Sequence, residues 1–343
     1  MADKKTSGIP VVARLSVAPM IDWTDRHCRY FHRLIAPRTL LHTEMISTGA
    51  IMHGDRQRFL GHDESEHPLA LQIGGSDPRE LAKAVRLARP FGYDAINLNV
   101  GCPSDRVQSG RFGACLMAEP TLVADLVAAM LDASEVPVTV KTRIAIDDGP
   151  VPAMLDELVD RSAERGVQTF YIHARAAWLK GLSPKENREI PPLRHDVVHA
   201  LKRRRGDLSI HINGGITDPT QAARLACDLD GAMIGRAAYQ DPLTLAAFEH
   251  ALMPEQPQAS PPDPHHIVDR MAAYAEREAA RQDTPLRAIA RHMLGLFNGM
   301  PGARAWRRTL GGAMHDPTAT SGLLREAAAC IRMPEHIEET GTA

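Results

Sequence analysis

The chain has 343 residues, 44% of them hydrophobic and only 4% aromatic. That is enough for a large core filled mainly by Ala, Val, Leu and Ile. Its 40 basic and 42 acidic residues leave a net charge of −2, which excludes a globally basic nucleic-acid binder and confines any such role to local patches. No stretch approaches the ~20 apolar residues of a membrane span, and the N-terminus lacks a signal-peptide pattern. The five cysteines Cys28, Cys102, Cys115, Cys227 and Cys330 are scattered with no Cys-x-x-Cys pair, which argues against a disulfide framework or a metal site. A monomer in a reducing cytoplasm is expected.

Short apolar runs rich in β-branched residues recur along the first 236 residues. In chain order they are RLSVAP (14–19), LLHTEM (40–45), LALQI (69–73), AINLNV (95–100), VTVKTR (138–143), TFYIHAR (169–175), LSIHING (208–214) and GAMIGR (231–236). Each precedes a polar segment and a helical pattern. Their ends lie on average about 31 residues apart, close to the roughly 30 residues of a strand–helix–strand unit. Asp77-Pro78, Asp218-Pro219 and Asp241-Pro242 each set a capping carboxylate before a proline at the first helical position. Asp77 with Glu80, and Asp218 with Gln221, have capping-box spacing. Eight such units predict an α/β fold, a (β/α)8 TIM barrel over 1–252. A doubly wound open sheet fits less well, because no G-x-G-x-x-G follows the first run.

The stretch 253–264, MPEQPQASPPDP, is proline-rich and aperiodic, which predicts a linker. Beyond it, 265–332 is helical in pattern and predicts a small all-helical C-terminal domain, followed by a tail over 333–343. Residues 263–310 hold eight Arg and five acidic residues, a local basic excess. The pair His265-His266 lacks metal-ligand spacing and reads as solvated. The run Lys202-Arg203-Arg204-Arg205 reads as a solvated helix end.

In a TIM barrel the chemistry sits where strands end. The seventh and eighth runs end in Asn213-Gly214-Gly215 and Gly235-Arg236. Glycines there let backbone N–H groups approach an anion, and Arg236 adds a cation, so a phosphate site is expected; two tight turns are the plainer alternative. The fourth run leads into Asn99-Val100-Gly101-Cys102-Pro103, which aims a thiol at the barrel mouth. Chemistry alone leaves Cys102 open as nucleophile, proton donor or inert packing. Lys141 with Arg143, and His173 with Arg175, are spaced to share a face of their strands. They suit an anionic ligand or charge developing on oxygen, unless they pair with loop carboxylates. Gln72 ends the third run, where its amide either satisfies backbone groups or reads a heterocycle edge.

The ordered motifs APMIDWTD (18–25), LQIGG (71–75), NLNVGCPS (97–104), VKTRI (140–144), IHAR (172–175), INGGI (212–216) and MIGRAA (233–238) together resemble the tRNA-dihydrouridine synthases. GLSPKENREIPPL (181–193) resembles the A subfamily, which acts on D-loop uridines 20 and 20a, and GLFNGMPGARAWRR (295–308) carries the likeness into the helical segment. The resemblance implies FMN at the C-terminal mouth and NADPH as electron source, although no NADPH motif is visible. It implies that Ala18, Pro19 and Met20 line the flavin and that Gln72 bonds the ring's polar edge. Lys141 and His173 would flank N1 and the C2 oxygen, and Asn213, Gly214, Gly215, Gly235 and Arg236 would hold the phosphate. It selects the proton-donor role for Cys102. It further implies tRNA contacts by Asn99, Arg143, Arg175, Lys185, Arg188, Arg304 and Arg307.

Three other functions are compatible with parts of this pattern. An FMN barrel acting on a free pyrimidine such as dihydroorotate would share the phosphate loops but has no use for a basic C-terminal segment. An aldolase-type barrel would use Lys141 as a Schiff base. A non-catalytic tRNA-binding module would have no use for Cys102 and Lys141.

Overall fold

The computed structural model describes residues 13–104, 107, 110–254 and 262–331. The first twelve residues, most of the expected linker and the tail expected over 333–343 lie outside the described residues. All eight expected strands form: β1 Leu15–Val17, β2 Leu41–Ser47, β3 Leu69–Gly74, β4 Ala95–Val100, β5 Val138–Arg143, β6 Thr169–His173, β7 Ser209–Asn213 and β8 Gly231–Ile234. They are parallel in the order β1-β8-β7-β6-β5-β4-β3-β2. The ring closes through a Ser16–Leu40 bridge, where Val17 N–H donates to the Leu40 carbonyl at 2.9 Å and Leu40 N–H to that of Leu15 at 3.1 Å. Helices flank the strands, and the architecture is the TIM barrel rather than an open sheet.

Alternation along the strands separates two apolar regions. Leu71 and Ile73 of β3, Ile96 and Leu98 of β4, Val138 and Val140 of β5, Phe170 and Ile172 of β6, and Ile210 and Ile212 of β7 are buried with helix residues such as Leu126, Val127 and Leu158 in the main core. The residues of opposite parity face the barrel interior. Leu40, Ala70, Ala95, Tyr171 and Met233 form a separate small cluster there. Further along the same inner positions come Gln72, Asn97, Asn99, Lys141, His173 and Asn213. Buried His42 and His211 stand against the Tyr171 ring of that cluster, so the interior is of mixed polarity and becomes mostly polar where the strands finish.

The helix-start expectations hold in part. Asp77 caps Pro78–Ala88, accepting from the N–H groups of Arg79 and Glu80, and Asp218 caps Pro219–Leu225, accepting from Gln221 N–H. Neither capping box closes reciprocally. The Glu80 carboxylate instead accepts from Thr48 Oγ1 at 2.9 Å, and Gln221 Oε1 accepts from Thr217 N–H at 2.8 Å. Asp241 does not cap a helix with its carboxylate. The helix begins later, at Thr244–Leu252 with Leu243 at the cap, and Asp241 contributes its carbonyl to Thr244 N–H. A reciprocal box does occur at Asp63 and Glu66.

After Asp263, whose side chain caps the first helix, the C-terminal segment forms helices Pro264–Gln282, Leu286–Ala290, Ala303–Ala313 and Gly322–Ala328. They pack around Met271, Met293, Phe297, Trp306, Leu310 and Leu324, all buried. This unit is fastened to the helix Arg26–Ile35 that follows β1. Tyr274 stacks on Tyr30 with ring centroids 4.1 Å apart, its hydroxyl meets His27 Nδ1 at 2.8 Å, and Arg26 pairs with Glu278 at 2.9 Å. Asp25 binds both Arg291 and His292. Because Asp25 lies just beyond the mouth segment Ala18–Met20, these bonds place the helical unit beside the barrel mouth. His265 packs against the Phe297 ring. Arg204 pairs with Asp156 and Asp160, and Arg205 with Asp160 and Asp207, so the basic run is an ion-paired helix end.

Candidate active site at the barrel mouth

The inner positions of β3, β4 and β5 hold a ladder of side-chain hydrogen bonds. Asn99 Nδ2 donates to Gln72 Oε1 at 2.9 Å, Gln72 Nε2 to Asn97 Oδ1 at 2.7 Å, and Asn97 Nδ2 to Thr139 Oγ1 at 2.8 Å. The ladder ends where Thr139 Oγ1 donates to the Ile96 carbonyl at 3.3 Å. Gln72, Asn97, Asn99 and Thr139 are all buried, and burial of amides requires such pairing. Asn99 Oδ1 also accepts the N–H groups of Gly101 and Cys102 at 3.2 and 3.0 Å. The turn carrying the thiol is therefore held from the barrel interior. Cys102 itself is half-buried, with Sγ 3.5 Å from Ser104 Oγ, and its carbonyl accepts from Ala114 N–H at 2.9 Å.

Cations surround this thiol. Lys141 Nζ donates to Asn213 Oδ1 at 3.3 Å. Burial, helped by the nearby Arg143 charge, pulls the Lys141 ammonium down to about 7, while Cys102 acts in the opposite sense. Burial likewise draws Arg143 down to about 10. Its Nε donates to the Gly101 carbonyl at 3.2 Å and its Nη1 to those of Ala176 and Asn187 at 3.4 and 3.0 Å. Arg143 thereby ties the cysteine turn to the loop beyond β6. Burial, reinforced by Arg143 and Lys141, holds His173 well below the usual histidine value, so its imidazole is neutral. The rule that residues two apart share a face holds for Lys141 and Arg143, but Arg143 turns its donors to backbone rather than into open space.

The glycine turn after β7 adopts a backbone that side chains resist. Gly214 and Gly215 have φ of 112° and 70°, and a Cβ at Gly215 would lie 2.3 Å from Leu193 Cδ1. At Gly235 such a Cβ would make ordinary van der Waals contact with Ala18 Cβ and Met20 Sδ, both at 3.9 Å, so Gly235 lies against the segment that follows β1. Asn213 Nδ2 donates to the Met233 carbonyl at 2.7 Å. Arg236 is half-exposed, and it pairs with Glu189 at 2.7 Å rather than standing alone.

Glu189 belongs to the loop 181–193, which arches over these turns. Arg175 Nη1 donates to the carbonyls of Glu189 and Pro191. Arg188 is exposed, and it lies near Arg236 and Cys102. Lys185 is exposed at the outer edge of the same loop. Arg304 and Arg307 are exposed on the helical unit, away from the thiol's immediate neighbours. Asn99, Arg143 and Arg175, expected to meet tRNA, thus spend most of their hydrogen bonds inside the protein.

Two residues of this site went unread in the sequence. Asn187 is fully buried and binds the Trp178 N–H and carbonyl at 2.7 and 2.9 Å and the Leu182 carbonyl at 3.1 Å. It is the internal anchor of the loop 181–193. His195 Nε2 meets the Gly214 carbonyl at 2.9 Å. A polar residue amid a run of charged ones was the only local signal for Asn187. Among the described residues no group of three or more His, Cys, Asp or Glu is arranged to hold a metal ion.

A closed (β/α)8 barrel whose polar mouth gathers a thiol, a depressed lysine and two glycine turns defines the class: a TIM-barrel enzyme. The family model described as Dihydrouridine synthase matches residues 16–330, and the chain belongs to that family. It is 55% identical over 319 residues to the tRNA-dihydrouridine(20/20a) synthase of Vibrio parahaemolyticus, covering 93% of this chain and 97% of that one. It is 52% identical to the synthases of the same name from Xanthomonas axonopodis pv. citri and Yersinia pestis, over 92% and 96% of this chain and 92% and 94% of theirs. Among solved structures, morphinone reductase superposes with a TM-score of 0.51 at 14% identity, covering 73% of this chain and 87% of that one, a likeness of fold. No described helix is long and apolar enough to cross a membrane.

Proposed function

We propose that this enzyme reduces the C5–C6 double bond of uridine in the tRNA D-loop, at positions 20 and 20a, with FMN as cofactor and NADPH as electron source, in the cytoplasm and as a monomer. The observation that carries the reading is the cysteine turn pinned by Asn99 beside Lys141, Arg143 and Arg188, in the same mouth as the glycine turns. The residues present fit a flavin mononucleotide. Gly235 puts no side chain toward Ala18 and Met20, which suits the flat face of a ring laid beside them. The left-handed Gly214–Gly215 turn and Arg236 suit a phosphate, once Arg236 exchanges Glu189 for it.

Bound there, FMN supplies a hydride for C6 of the uracil ring. The rest is the work of the protein. Lys141 would hold the polar edge of the ring, where a cation would favour negative charge on it; burial that lowers the lysine's proton affinity would be offset by that charge. Gln72, with one Nε2 hydrogen outside the ladder, would bond the ring's polar edge. Cys102 holds a proton on Sγ and transfers it to C5 as charge develops towards C5 and O4. A thiol suits this step because it can hold a proton and release it to carbon as charge develops there. His173, neutral, and Arg188 at the loop edge orient the base and oppose the charge on O4. The uridine reaches this depth only by leaving its stack, with phosphates held by Lys185, Arg188, Arg304 and Arg307.

The test is Cys102→Ala in a single turnover. Flavin content and NADPH oxidation stay normal while little dihydrouridine forms. Product at nearly the wild-type rate would remove Cys102 from the role.

A further inference from the structure

A groove of about 420 Å3 runs between the barrel and the helical unit, walled by Trp23, Tyr239, Arg291, His292, Asn298 and Arg307. Trp23 stands three residues after Met20 in the mouth segment, and Tyr239 three after Arg236, so the groove borders the mouth. The Trp23 and Tyr239 rings stack with centroids 4.3 Å apart and planes 12° from parallel. Tyr239 is held from below by His292 Nδ1 at 3.2 Å from its hydroxyl, and Arg291 by Asp25.

Among the described residues, exposed arginines are either ion-paired or, like Arg79, Arg224 and Arg287, meet no carboxylate, and the rim belongs with the second kind. Arg161, Arg165, Arg194, Arg204, Arg205 and Arg325 each pair with a carboxylate. Arg307 donates to Asn298 Oδ1 at 2.8 Å and, among the described residues, meets no carboxylate. Arg304 and Arg308 are exposed on the same helix, at the i, i+3, i+4 spacing that puts three guanidinium groups on one face. The helix Ala303–Ala313 contains no acidic residue. A flat aromatic platform beside an uncompensated track of guanidinium groups is the chemistry that holds single-stranded nucleic acid.

We propose that this groove receives one unpaired nucleobase of the tRNA, adjacent in sequence to the uridine being reduced, stacked on the Trp23–Tyr239 pair with its phosphate at Arg307. The proposal rests on the tRNA reading above and deepens it: a second base is removed from the stack and parked, which fixes the register of the first. The same chemistry could hold the adenine of a dinucleotide reductant. The continuation of the cationic face past the groove to Arg304 and Arg308 favours a polyanion.

The experiment uses the flavin-loaded full chain and unmodified tRNA in which each nucleotide flanking the target uridine is made abasic in turn, with affinity read by fluorescence anisotropy. One abasic position weakens wild-type binding about tenfold, and Trp23→Leu weakens intact tRNA by a similar factor, about what one base–aromatic stack contributes. In Trp23→Leu the abasic site adds less than about twofold, and Trp23→Phe restores most of the loss. Should Trp23→Leu fail to retain flavin, Arg307→Gln enters the same cycle with the same expectation. Independent, multiplying losses, or no sensitive flanking position, overturn the proposal. So does a rise in the NADPH concentration needed for flavin reduction without tRNA, which would assign the groove to the reductant. If wild-type protein neither binds nor modifies tRNA, the functional reading has failed; if it does both and the cycle shows no coupling, only the groove has.

Discussion

Truncation of Asn99 separates the scaffold of this site from its chemistry. Asn99 is 7% exposed and makes three side-chain hydrogen bonds, two from the cysteine turn and one to Gln72. In Asn99→Ala all three vanish, at about 0.5–1.5 kcal/mol each. Gln72 Oε1 is left buried without a donor, which costs about 1–3 kcal/mol unless water enters from the mouth. Together these give a loss of about 2.5–7.5 kcal/mol, towards the lower end where water reaches Gln72. Asn99→Asp behaves differently. It keeps the acceptor for Gly101 and Cys102, and the ladder can reverse: Gln72 turns its Nε2 to the new carboxylate, Asn97 turns to give Nδ2 to Gln72, and Thr139 gives its hydroxyl to Asn97 instead of the Ile96 carbonyl. The expected cost is about 1 kcal/mol, the scale of one exchanged hydrogen bond. Urea unfolding followed by circular dichroism measures both, and single-turnover product yield measures the turn. Asn99→Ala should lose product far more than flavin reduction, and Asn99→Asp should retain both. If Asn99→Ala unfolds within about 0.5 kcal/mol of wild type, a shift no larger than an ordinary surface substitution gives, the ladder is not what holds the turn. Equal destabilisation by the two variants would refute the reversal.

Lys141 gives a pH signature. Burial lowers its value from 10.5 to about 7, so between those values the unfolded chain binds the proton and the folded chain does not. Stability rises with pH across this window, and the contribution is lost as pH falls from about 10.5 towards 7. Flavin-free Lys141→Met should show a flatter rise in urea midpoint from pH 7 to 9.5 than wild type; an unchanged slope would mean the lysine is solvated in solution. Replacing Arg304 and Arg307 together by Gln should weaken tRNA binding and reduce the slope of log affinity against log salt by roughly 1.5–2, measured by anisotropy from 50 to 200 mM salt. A slope equal to wild type would place the tRNA backbone elsewhere.

Much of the fold was legible because its signals are local. The eight β-branched runs became the eight strands at nearly the expected bounds, and the strand–helix alternation admits few closed arrangements. Asp77 and Asp218 act on N–H groups two or three residues away, so spacing sufficed for them. Asp241 defeated the same rule because its neighbouring turn extends to Leu243 before the helix opens. Gly214 and Gly215 were readable as a turn that refuses a Cβ, which is a property of a single residue's backbone.

The organisation of the site was decided at long range. Asn99 could be assigned to the mouth from its strand, but its duty to the cysteine turn depends on Gln72, 27 residues earlier. Arg143 and Arg175 read as cations for a ligand, yet buried Arg143 and half-buried Arg175 give donors to carbonyls of other loops, and Arg175 Nε has no partner. Arg236 read as an unopposed phosphate ligand, and Glu189, 47 residues away, pairs with it. The groove beside the mouth exists because contacts such as Asp25 with Arg291 and His292, and Tyr274 with Tyr30, dock the helical unit and set a helix bearing Arg307 near Trp23 and Tyr239. Periodicity, caps and glycine turns depend on neighbours within a few residues, and the chain states them directly. Which donor meets which acceptor across the barrel depends on the closure of the ring and the docking of the helices, and tertiary structure alone settled it. Cys102 lies at the meeting of the two: its turn is visible in the chain, and its anchoring is not.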